Sequence, residues 1–272
     1  MRTNKVVAAA VAALCVSTAA RATVVVGSAG QTYTQNFDSL TTSTTAVPWV
    51  NDSTLPGWSL FVQPAPGSAA PTYLANDGSS NGGTFYSYGA VGSAERAFGG
   101  LGSGGAYFGA PASGAVAGWI AAAFTNNTGS ALNGFSVTFD GEQWRNGGNT
   151  SAQTMVLQYG FGASFAAVSS WTSPGALFNW SSVVNTSTAA AVDGNTAGRV
   201  ANVGGSVAAT WAAGDTLWVR WIENNDVGND HGLAIDNFSL TAGQGLTVPL
   251  PPALALLVSG LGGLGLLRRR RS

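Results

Sequence analysis

Closely spaced turn residues are the feature that most limits how this chain can fold. Gly, Asn, Asp and Pro interrupt residues 23–245 so often that no helical apolar period persists. Between them lie short segments in which apolar and other residues alternate, as at residues 135–139, where Phe135, Val137 and Phe139 share one face. This pattern predicts short β-strands joined by long, turn-rich connections.

Four further segments show the strand pattern. Residues 154–159 place Met155, Leu157 and Tyr159 on one face, and a turn at residues 213–215 leads into a strand at 216–221. A final strand is predicted at 233–240 and a first strand at 33–40. We therefore expect an all-β fold, an antiparallel β-sandwich of jelly-roll type that forms one domain over residues 23–245.

The charges of the chain are unevenly distributed. All 12 carboxylates lie between Asp38 and Asp236, and the same stretch holds just four basic residues, which are Arg96, Arg145, Arg199 and Arg220. An acidic, lysine-free surface repels phosphate backbones, so nucleic acid is excluded as a partner and cations or neutral glycans fit better. The single cysteine, Cys15, lies outside this body, which excludes disulfides and thiolate nucleophiles there.

The amino terminus is typical of a signal peptide. Arg2 and Lys5 precede an apolar run at residues 6–16, and Ala20-Arg21-Ala22 offers the small side chains that signal peptidase accepts. We expect residues 1–22 to form a signal helix that is removed before Thr23. The chain is therefore predicted to be exported.

The carboxyl terminus, residues 246–272, carries a second targeting pattern. Val248-Pro249-Leu250-Pro251 is followed by apolar or small residues at 253–267 and then by Arg268, Arg269, Arg270 and Arg271. Fifteen helical residues reach about 22 Å at about 1.5 Å each, and extending the helix back through the prolines nearly spans a hydrocarbon core of about 30 Å. The pattern predicts one transmembrane helix whose arginine cluster stays in the cytoplasm.

This tail resembles a PEP-CTERM sorting signal, in a variant that begins Val-Pro-Leu-Pro instead of Val-Pro-Glu-Pro. The resemblance covers about a tenth of the chain. It implies recognition by an exosortase in the inner membrane, cleavage near the proline motif, and delivery to the cell envelope or extracellular matrix of a Gram-negative bacterium. An ordinary single-pass membrane anchor that is never processed is the alternative.

A weaker resemblance concerns the body. Asn36-Phe37-Asp38, Gly57-Trp58, the segment at residues 215–221 and the segment at residues 229–238 are together similar to concanavalin-like jelly rolls. That likeness implies that the first and last strands lie side by side. It implies no particular activity, because such folds host binding proteins, enzymes and spacers alike.

One polar cluster has the composition of a calcium site. Residues 223–232 are rich in Asp and Asn, and closely spaced oxygens on a turn are what Ca²⁺ requires. The candidate ligands are Asp226, Asp230 and Asp236, joined by Asp38 from the neighbouring strand. A plain polar connection stabilised by Asx turns explains the same residues.

A carboxylate pair raises an enzymatic alternative. Asp140, Glu142 and Trp144 occupy alternate positions of one predicted strand, and paired carboxylates beside an aromatic ring are what glycoside hydrolysis uses. The same triplet also fits a strand end in which Glu142 pairs with an arginine. His231 is the single histidine, and no nucleophile elbow is present, so we assign no catalytic residue.

The tryptophans suggest a glycan surface. Nine are present, and exposed indole faces stack on sugar rings, although most tryptophans serve as core packing. Trp171 and Trp180 lie in polar, loop-like sequence and are the candidate glycan contacts. The combined expectation is a non-catalytic envelope or matrix protein that contacts exopolysaccharide, and the alternatives are a secreted carbohydrate-active enzyme and an unprocessed membrane protein.

Overall fold

The computed structural model describes residues 23–63 and 68–243. This part of the chain contains sixteen β-strands: β1 Val24–Val26, β2 Thr32–Gln35, β3 Val47–Pro48, β4 Trp58–Val62, β5 Ser68–Ala69, β6 Thr72–Asn76, β7 Thr84–Tyr88, β8 Ala97–Leu101, β9 Ala115–Asn126, β10 Leu132–Asn146, β11 Thr154–Phe161, β12 Trp180–Ser181, β13 Ala190–Ala191, β14 Arg199–Trp211, β15 Thr216–Asn225 and β16 Gly232–Ala242. The described residues otherwise contain three short 3₁₀ turns, at Ala106–Phe108, Phe165–Ala167 and Ala176–Phe178.

The strands form two sheets. Sheet A has the order β12-β11-β15-β9-β4-β5, with β1 also paired to β9. Sheet B has the order β13-β10-β16-β8-β7-β6-β3, with β14 also paired to β10 and β2 to β16. The protein is therefore an all-β sandwich, as the turn-rich sequence predicts.

The main core lies between the sheets and is rich in aromatic side chains. From sheet A, Trp58 and Trp221 stack with ring centroids 5.8 Å apart. From sheet B, Phe238 meets both indoles edge-on, at 5.2 Å and 5.5 Å. Edge-to-face aromatic pairs add to the free energy gained by burying their area, so this group links the two sheets at the centre of the fold.

Two of the predicted faces agree with the structure. Phe135, Val137 and Phe139 are at most 1% exposed and face the core from β10. Met155 and Leu157 are buried on β11 in the same core, with Tyr159 packed against it. Alternation with a period of two therefore identified the inward face of both strands.

The structure corrects the predicted first strand. β2 ends at Gln35 because Phe37 adopts a positive φ of 57°, which turns the chain and buries its ring against Trp58. The shorter strand still pairs with the last strand, β16, and Phe238 lies opposite Gln35. The prediction that the first and last strands lie side by side is therefore confirmed for β2 and β16.

The sheets are also less regular than predicted. Most pairs are antiparallel, but β1 runs parallel to β9 and β6 runs parallel to β7. The sandwich is therefore mixed, and its jelly-roll type stays a prediction. Within residues 23–63 and 68–243, none of the helices has the length and apolar character needed to cross a bilayer. The predicted signal helix and the helix at 253–267 lie outside the described residues.

Candidate functional site

Acidic side chains gather on the outer face of sheet B, the face opposite the core. In the register of β10 against β16, Asp140 lies opposite Asp236, and Glu142 lies opposite Ala234. Residues 135, 137 and 139 of β10 point into the core, so the even-numbered neighbours face outward. Two adjacent strands thus place three carboxylates on one face, each with low exposure.

Asp140 is fully engaged within the fold. Its Oδ2 accepts hydrogen bonds from Arg199 Nη2 at 2.7 Å and Asn237 Nδ2 at 3.0 Å, and its Oδ1 accepts one from the backbone N–H of Asn202 at 2.8 Å. Burial alone would raise the pKa of Asp140, but these hydrogen bonds and the charge of Arg199 outweigh it and lower the pKa. Asp140 is therefore an ionised, structurally fixed carboxylate.

Glu142 is in the opposite state. It is 1% exposed, its Oε2 accepts a hydrogen bond from Trp144 Nε1 at 2.9 Å, and its Oε1 is buried without a partner. Burial, reinforced by the charges of Asp236, Glu95 and Asp140 and opposed by the Trp144 hydrogen bond, raises the pKa of Glu142 to about 8. Among the described residues no cation forms an ion pair with Glu142, and Arg199, whose charge acts on it from a distance, pairs with Asp140.

Asp236 and Glu95 complete what we call the acidic cluster, Glu95–Glu142–Asp236. Asp236 is 4% exposed, its Oδ1 has no partner, and burial with neighbouring carboxylates raises its pKa to about 7. Glu95 comes from the β7–β8 connection; its Oε2 accepts a hydrogen bond from Asn195 Nδ2 at 2.6 Å, and its Oε1 is buried and unpartnered. One oxygen from each residue lies within 4.8 Å of one from each of the others.

The β7–β8 connection is held in place by Arg96. Its backbone N–H donates to Asp38 Oδ1 at 3.1 Å, and its guanidinium donates to the Ser87 hydroxyl at 2.9 Å and to the Ser87 carbonyl. Beside it, the rings of Tyr88 and Trp144 stack with centroids 6.1 Å apart. These contacts fix the backbone next to Glu95 over the outer face of sheet B.

The four candidate calcium ligands are divided between two places. Asp236 lies in the acidic cluster, and Asp38 is close enough to raise its pKa further. Asp226 and Asp230 lie in the β15–β16 connection, where Asp230 Oδ1 accepts a hydrogen bond from the backbone N–H of Asp226 at 2.6 Å. Their negative charges act on Glu223. Burial, reinforced by those charges, raises the pKa of Glu223 well above the usual range.

Sequence reasoning missed Glu95. It is the single acidic residue in a Gly- and Ser-rich stretch, and no period or spacing connects it with Glu142, which lies 47 positions later. Glu142 itself was recognised, but for a different chemistry. The three residues meet because the β7–β8 connection folds over sheet B, which is a tertiary arrangement.

The predicted glycan contacts need correction. Trp180 is 2% exposed and packs in the main core, so the expectation that it presents a face to a sugar is wrong. Its polar sequence neighbours belong to a connection that returns it to the sheet edge as β12. Trp171 is half-buried, and one face of its ring lies 3.8 Å from the guanidinium carbon of Arg220.

The carboxylates considered for glycosidase chemistry do lie at alternate positions of one strand. Asp140 and Glu142 are both buried, at 4% and 1% exposure, and Trp144 beside them is 2% exposed. His231 is also buried, and its Nδ1 accepts a hydrogen bond from the backbone N–H of Gly147 at 2.9 Å, which agrees with a turn residue held by its neighbours.

A groove of about 620 Å³ opens beside the β7–β8 connection that carries Glu95. Its walls are formed mostly by small residues from the β2–β3 and β7–β8 connections and from the end of β6 and the residues after it, with Thr42, Thr44, Asn76, Asp77, Ser93 and Arg96 among the lining residues. The volume is within the range of about 300–1,000 Å³ that is usual for ligand sites. The groove is the largest of the cavities described here.

Comparisons with known proteins add little. The sequence matches no protein-family model and no curated protein. Among solved structures, the chain is similar to the CBM22-1 xylan-binding domain of Xyn10C from Paenibacillus barcinonensis, with 9% identity over 80% of this chain and 98% of that chain. The TM-score of this likeness is 0.36.

Proposed function

We propose that the protein is an exported, non-catalytic β-sandwich that is sorted to the cell envelope or extracellular matrix by its C-terminal segment. The observation that carries the proposal is the ordered tail: Val248-Pro249-Leu250-Pro251, then an apolar stretch, then Arg268–Arg271. Together with the signal-peptide pattern at residues 1–22, this tail orients the body outside the inner membrane. The partners are signal peptidase and an exosortase.

The state of Asp140 supports a non-catalytic role. Glycoside hydrolysis needs one carboxylic acid and one free carboxylate flanking an accessible bond. Both oxygens of Asp140 already accept hydrogen bonds, four in all, and Glu142 is 1% exposed. Neither group is positioned to reach a polysaccharide, so we assign them a structural role.

The mass of the mature protein tests the sorting proposal. In a host that has the exosortase, we expect the isolated protein to begin at Thr23 and to have lost the segment after the proline motif, including Arg271. In a strain without the exosortase, the tail should be retained. Retention of Arg271 in both strains would instead identify an unprocessed membrane anchor.

Two matched variants sharpen that test. Pro249→Ala changes the proposed recognition motif and should reduce processing, whereas Pro174→Ala changes a proline of the β-sandwich and should leave processing intact. Equal processing of both variants would contradict recognition of the proline motif. Immunoblotting of the membrane and extracellular fractions gives the readout.

A second candidate function, contact with exopolysaccharide, is favoured by the groove beside the β7–β8 connection. Its polar side chains and backbone groups suit a ligand rich in hydroxyls, and the guanidinium of its one lining cation, Arg96, already donates to Ser87. This groove replaces Trp180 as the proposed contact. We expect a neutral polysaccharide from the host matrix to bind there.

Binding to purified host polysaccharide tests this candidate. Thr44 lines the groove and Thr45 does not, and both are exposed, so Thr44→Lys and Thr45→Lys add the same charge at neighbouring positions. We expect Thr44→Lys to weaken binding and Thr45→Lys to preserve it. Equal affinities of the two variants, or no binding by the original chain, would exclude the groove as the contact.

A further inference from the structure

We propose that the acidic cluster is a calcium site, in which Glu95, Glu142 and Asp236 bind one Ca²⁺ on the outer face of sheet B. The proposal is independent of how the protein is exported. It assigns to these residues a ligand set different from the one expected from the Asp- and Asn-rich connection at residues 223–232. Asp236 is the one residue that both sets share.

The unpartnered oxygens carry the argument. Glu142 is 1% and Asp236 is 4% exposed, yet Glu142 Oε1 and Asp236 Oδ1 have no hydrogen-bond partner, and neither has the buried Glu95 Oε1. Buried polar atoms are satisfied in the great majority of native structures, so such an atom calls for a specific explanation. Three of them on three adjoining carboxylates share one explanation, which is a bound cation.

Among the described residues, no cation forms an ion pair with Glu142 or Asp236, although the charge of Arg199 acts on both from a distance. The described residues hold one ion pair, Arg199 with Asp140 at 2.7 Å, and it uses neither Glu142 nor Asp236. Arg96 lies next to Glu95 in the sequence, but the hydrogen bonds of its guanidinium go to Ser87. Taking charges out of water is costly unless an opposite charge and hydrogen bonds compensate, and a divalent cation would do so for all three carboxylates at once.

The geometry and chemistry favour calcium among divalent cations. The ligands are oxygens alone, as hard cations require, and the cluster offers neither imidazole nor thiolate, the usual ligands of structural zinc. Oxygens within 4.8 Å of one another can surround an ion at the calcium–oxygen distance of about 2.3–2.6 Å. Bidentate carboxylates and water would complete the six to eight ligands of Ca²⁺.

The position of the site gives the ion a structural role, which is to link a connection to the sheet. Glu142 and Asp236 lie on the neighbouring central strands β10 and β16, whereas Glu95 lies in the β7–β8 connection. An ion held by all three ties this connection to the sheet. The same connection forms one wall of the 620 Å³ groove, so calcium would also order that wall.

Calcium titration of the full chain, purified after exhaustive treatment with a chelator, tests the site. We expect saturable binding of one Ca²⁺ by isothermal titration calorimetry. A ligand that binds the folded state alone raises the melting temperature, and we expect a rise of about 5–10 °C at a concentration near one hundred times the dissociation constant. The absence of both calorimetric binding and a thermal shift would overturn the proposal.

Three isosteric variants locate the site. Glu142→Gln and Asp236→Asn each remove one charged ligand and should weaken Ca²⁺ binding on the order of tenfold or more. Asp226→Asn, in the β15–β16 connection, is the matched control and should bind like the original chain. If Asp226→Asn loses binding while Glu142→Gln keeps it, the site lies in that connection and the proposal is wrong.

Terbium luminescence gives a readout that does not depend on the variants' stability. Tb³⁺ takes calcium-like oxygen sites, and Trp144 donates a hydrogen bond to Glu142, so excitation of its indole should sensitise Tb³⁺ emission. We expect excess Ca²⁺ to abolish this emission and excess Mg²⁺ to leave most of it. Emission that Ca²⁺ does not displace would contradict a calcium site at the cluster.

Discussion

The two outer faces of the sandwich bury charge in different ways. On sheet A, the half-buried guanidinium of Arg220 donates to Gln158 Oε1 at 2.9 Å and 2.6 Å and lies 3.8 Å from the centre of the Trp171 ring. On sheet B, Glu142 and Asp236 each keep a buried oxygen that contacts no donor. Sheet A compensates its buried cation with its own side chains, whereas sheet B compensates Asp140 but leaves oxygens of Glu142 and Asp236 without partners.

The two faces also differ in how burial changes the pKa of their charged groups and in the partners that those groups have. Burial lowers the pKa of Arg220 to about 10, which still leaves it charged at neutral pH, and its amide and aromatic partners match that charge. Burial raises the pKa of Glu142 to about 8, which marks a carboxylate without matching donors. Among the described residues, nothing donates to Glu142 Oε1 or Asp236 Oδ1, and the proposed Ca²⁺ would fill that position.

The largest effect on the free energy of unfolding is expected for Phe165, an aromatic side chain packed on the outer face of sheet A. Phe165 is 1% exposed and stacks on Phe61 with centroids 3.9 Å apart. Phe165→Ala should lower the free energy of unfolding by about 3–5 kcal/mol, measured by denaturant titration, because it opens a cavity. Leu177→Ala, at a side chain 77% exposed, should change it by less than about 0.5 kcal/mol.

That variant also separates the two faces. Phe165→Ala should leave the calcium affinity of the acidic cluster unchanged, because its contacts lie on the opposite side of the sandwich. A loss of calcium binding in a folded Phe165→Ala protein would show that the faces are coupled, and the comparison would fail.

The compensated charge of sheet A gives the next effect. Arg220→Ala removes a stacked cation and its charge-assisted hydrogen bonds, and should cost about 2 kcal/mol of unfolding free energy. Arg199→Ala is the matched change on sheet B; its side chain is 43% exposed, and we expect a smaller loss of about 1 kcal/mol or less. A larger loss for Arg199→Ala would contradict our view that sheet A holds the better-buried cation.

The pH dependence of stability tests the buried carboxyls near the β15–β16 connection together with Glu142 and Asp236, whose raised pKa values fall in the same range. Burial raises the pKa of Asp230 to about 7 and that of Glu223 well above its usual range. Groups with a raised folded pKa contribute stability that is complete below the unfolded pKa, near 4, and is lost as the pH rises through the folded pKa. We expect the free energy of unfolding to fall by about 1–2 kcal/mol between pH 5 and pH 8.

Glu223→Gln is the control for that prediction. It removes one of these buried carboxyls while keeping its shape, so the decline with pH should become shallower. Denaturant unfolding at both pH values, with chelator present throughout, gives the comparison. An unchanged slope in Glu223→Gln would mean that other groups cause the decline.

The smallest effect contrasts neighbours on sheet B. In the presence of a chelator and above pH 8, where Glu142 is ionised, Glu142→Gln should raise the free energy of unfolding by about 1 kcal/mol, because it removes a buried charge that neighbouring carboxylates repel. Asp140→Asn should lower it by a similar amount, because it weakens the pair with Arg199. If both variants were less stable than the original chain, the charge of Glu142 would have a stabilising partner that the structure does not show.

Much of the β-sandwich could be predicted from the sequence, and little of the site could. Period-two alternation identified β10 and β11 with their inward faces because the side-chain direction in a strand is a local property. The end of β2 at Gln35 was not predicted, because the positive φ of Phe37 that follows it goes with packing against Trp58 and not with its neighbours in sequence. The parallel pairs β1–β9 and β6–β7 likewise depend on long-range contacts.

The same contrast between local pattern and long-range contact applies to the residues of the site. Asp140, Glu142 and Trp144 were placed on one strand face from their spacing alone, and the structure has them there. Trp180 was misjudged because the polarity of flanking residues does not report burial by the opposite sheet. Glu95 could not be found, since its meeting with Glu142 is made by a connection that folds over the sheet.

A crystal structure of the protein, from crystals grown with Ca²⁺, would show directly whether the acidic cluster on the outer face of sheet B binds an ion. Our account predicts anomalous density between Glu95, Glu142 and Asp236, at about 2.3–2.6 Å from an oxygen of each. An empty cluster at saturating Ca²⁺, with the three carboxyl groups hydrogen-bonded to one another, would contradict it.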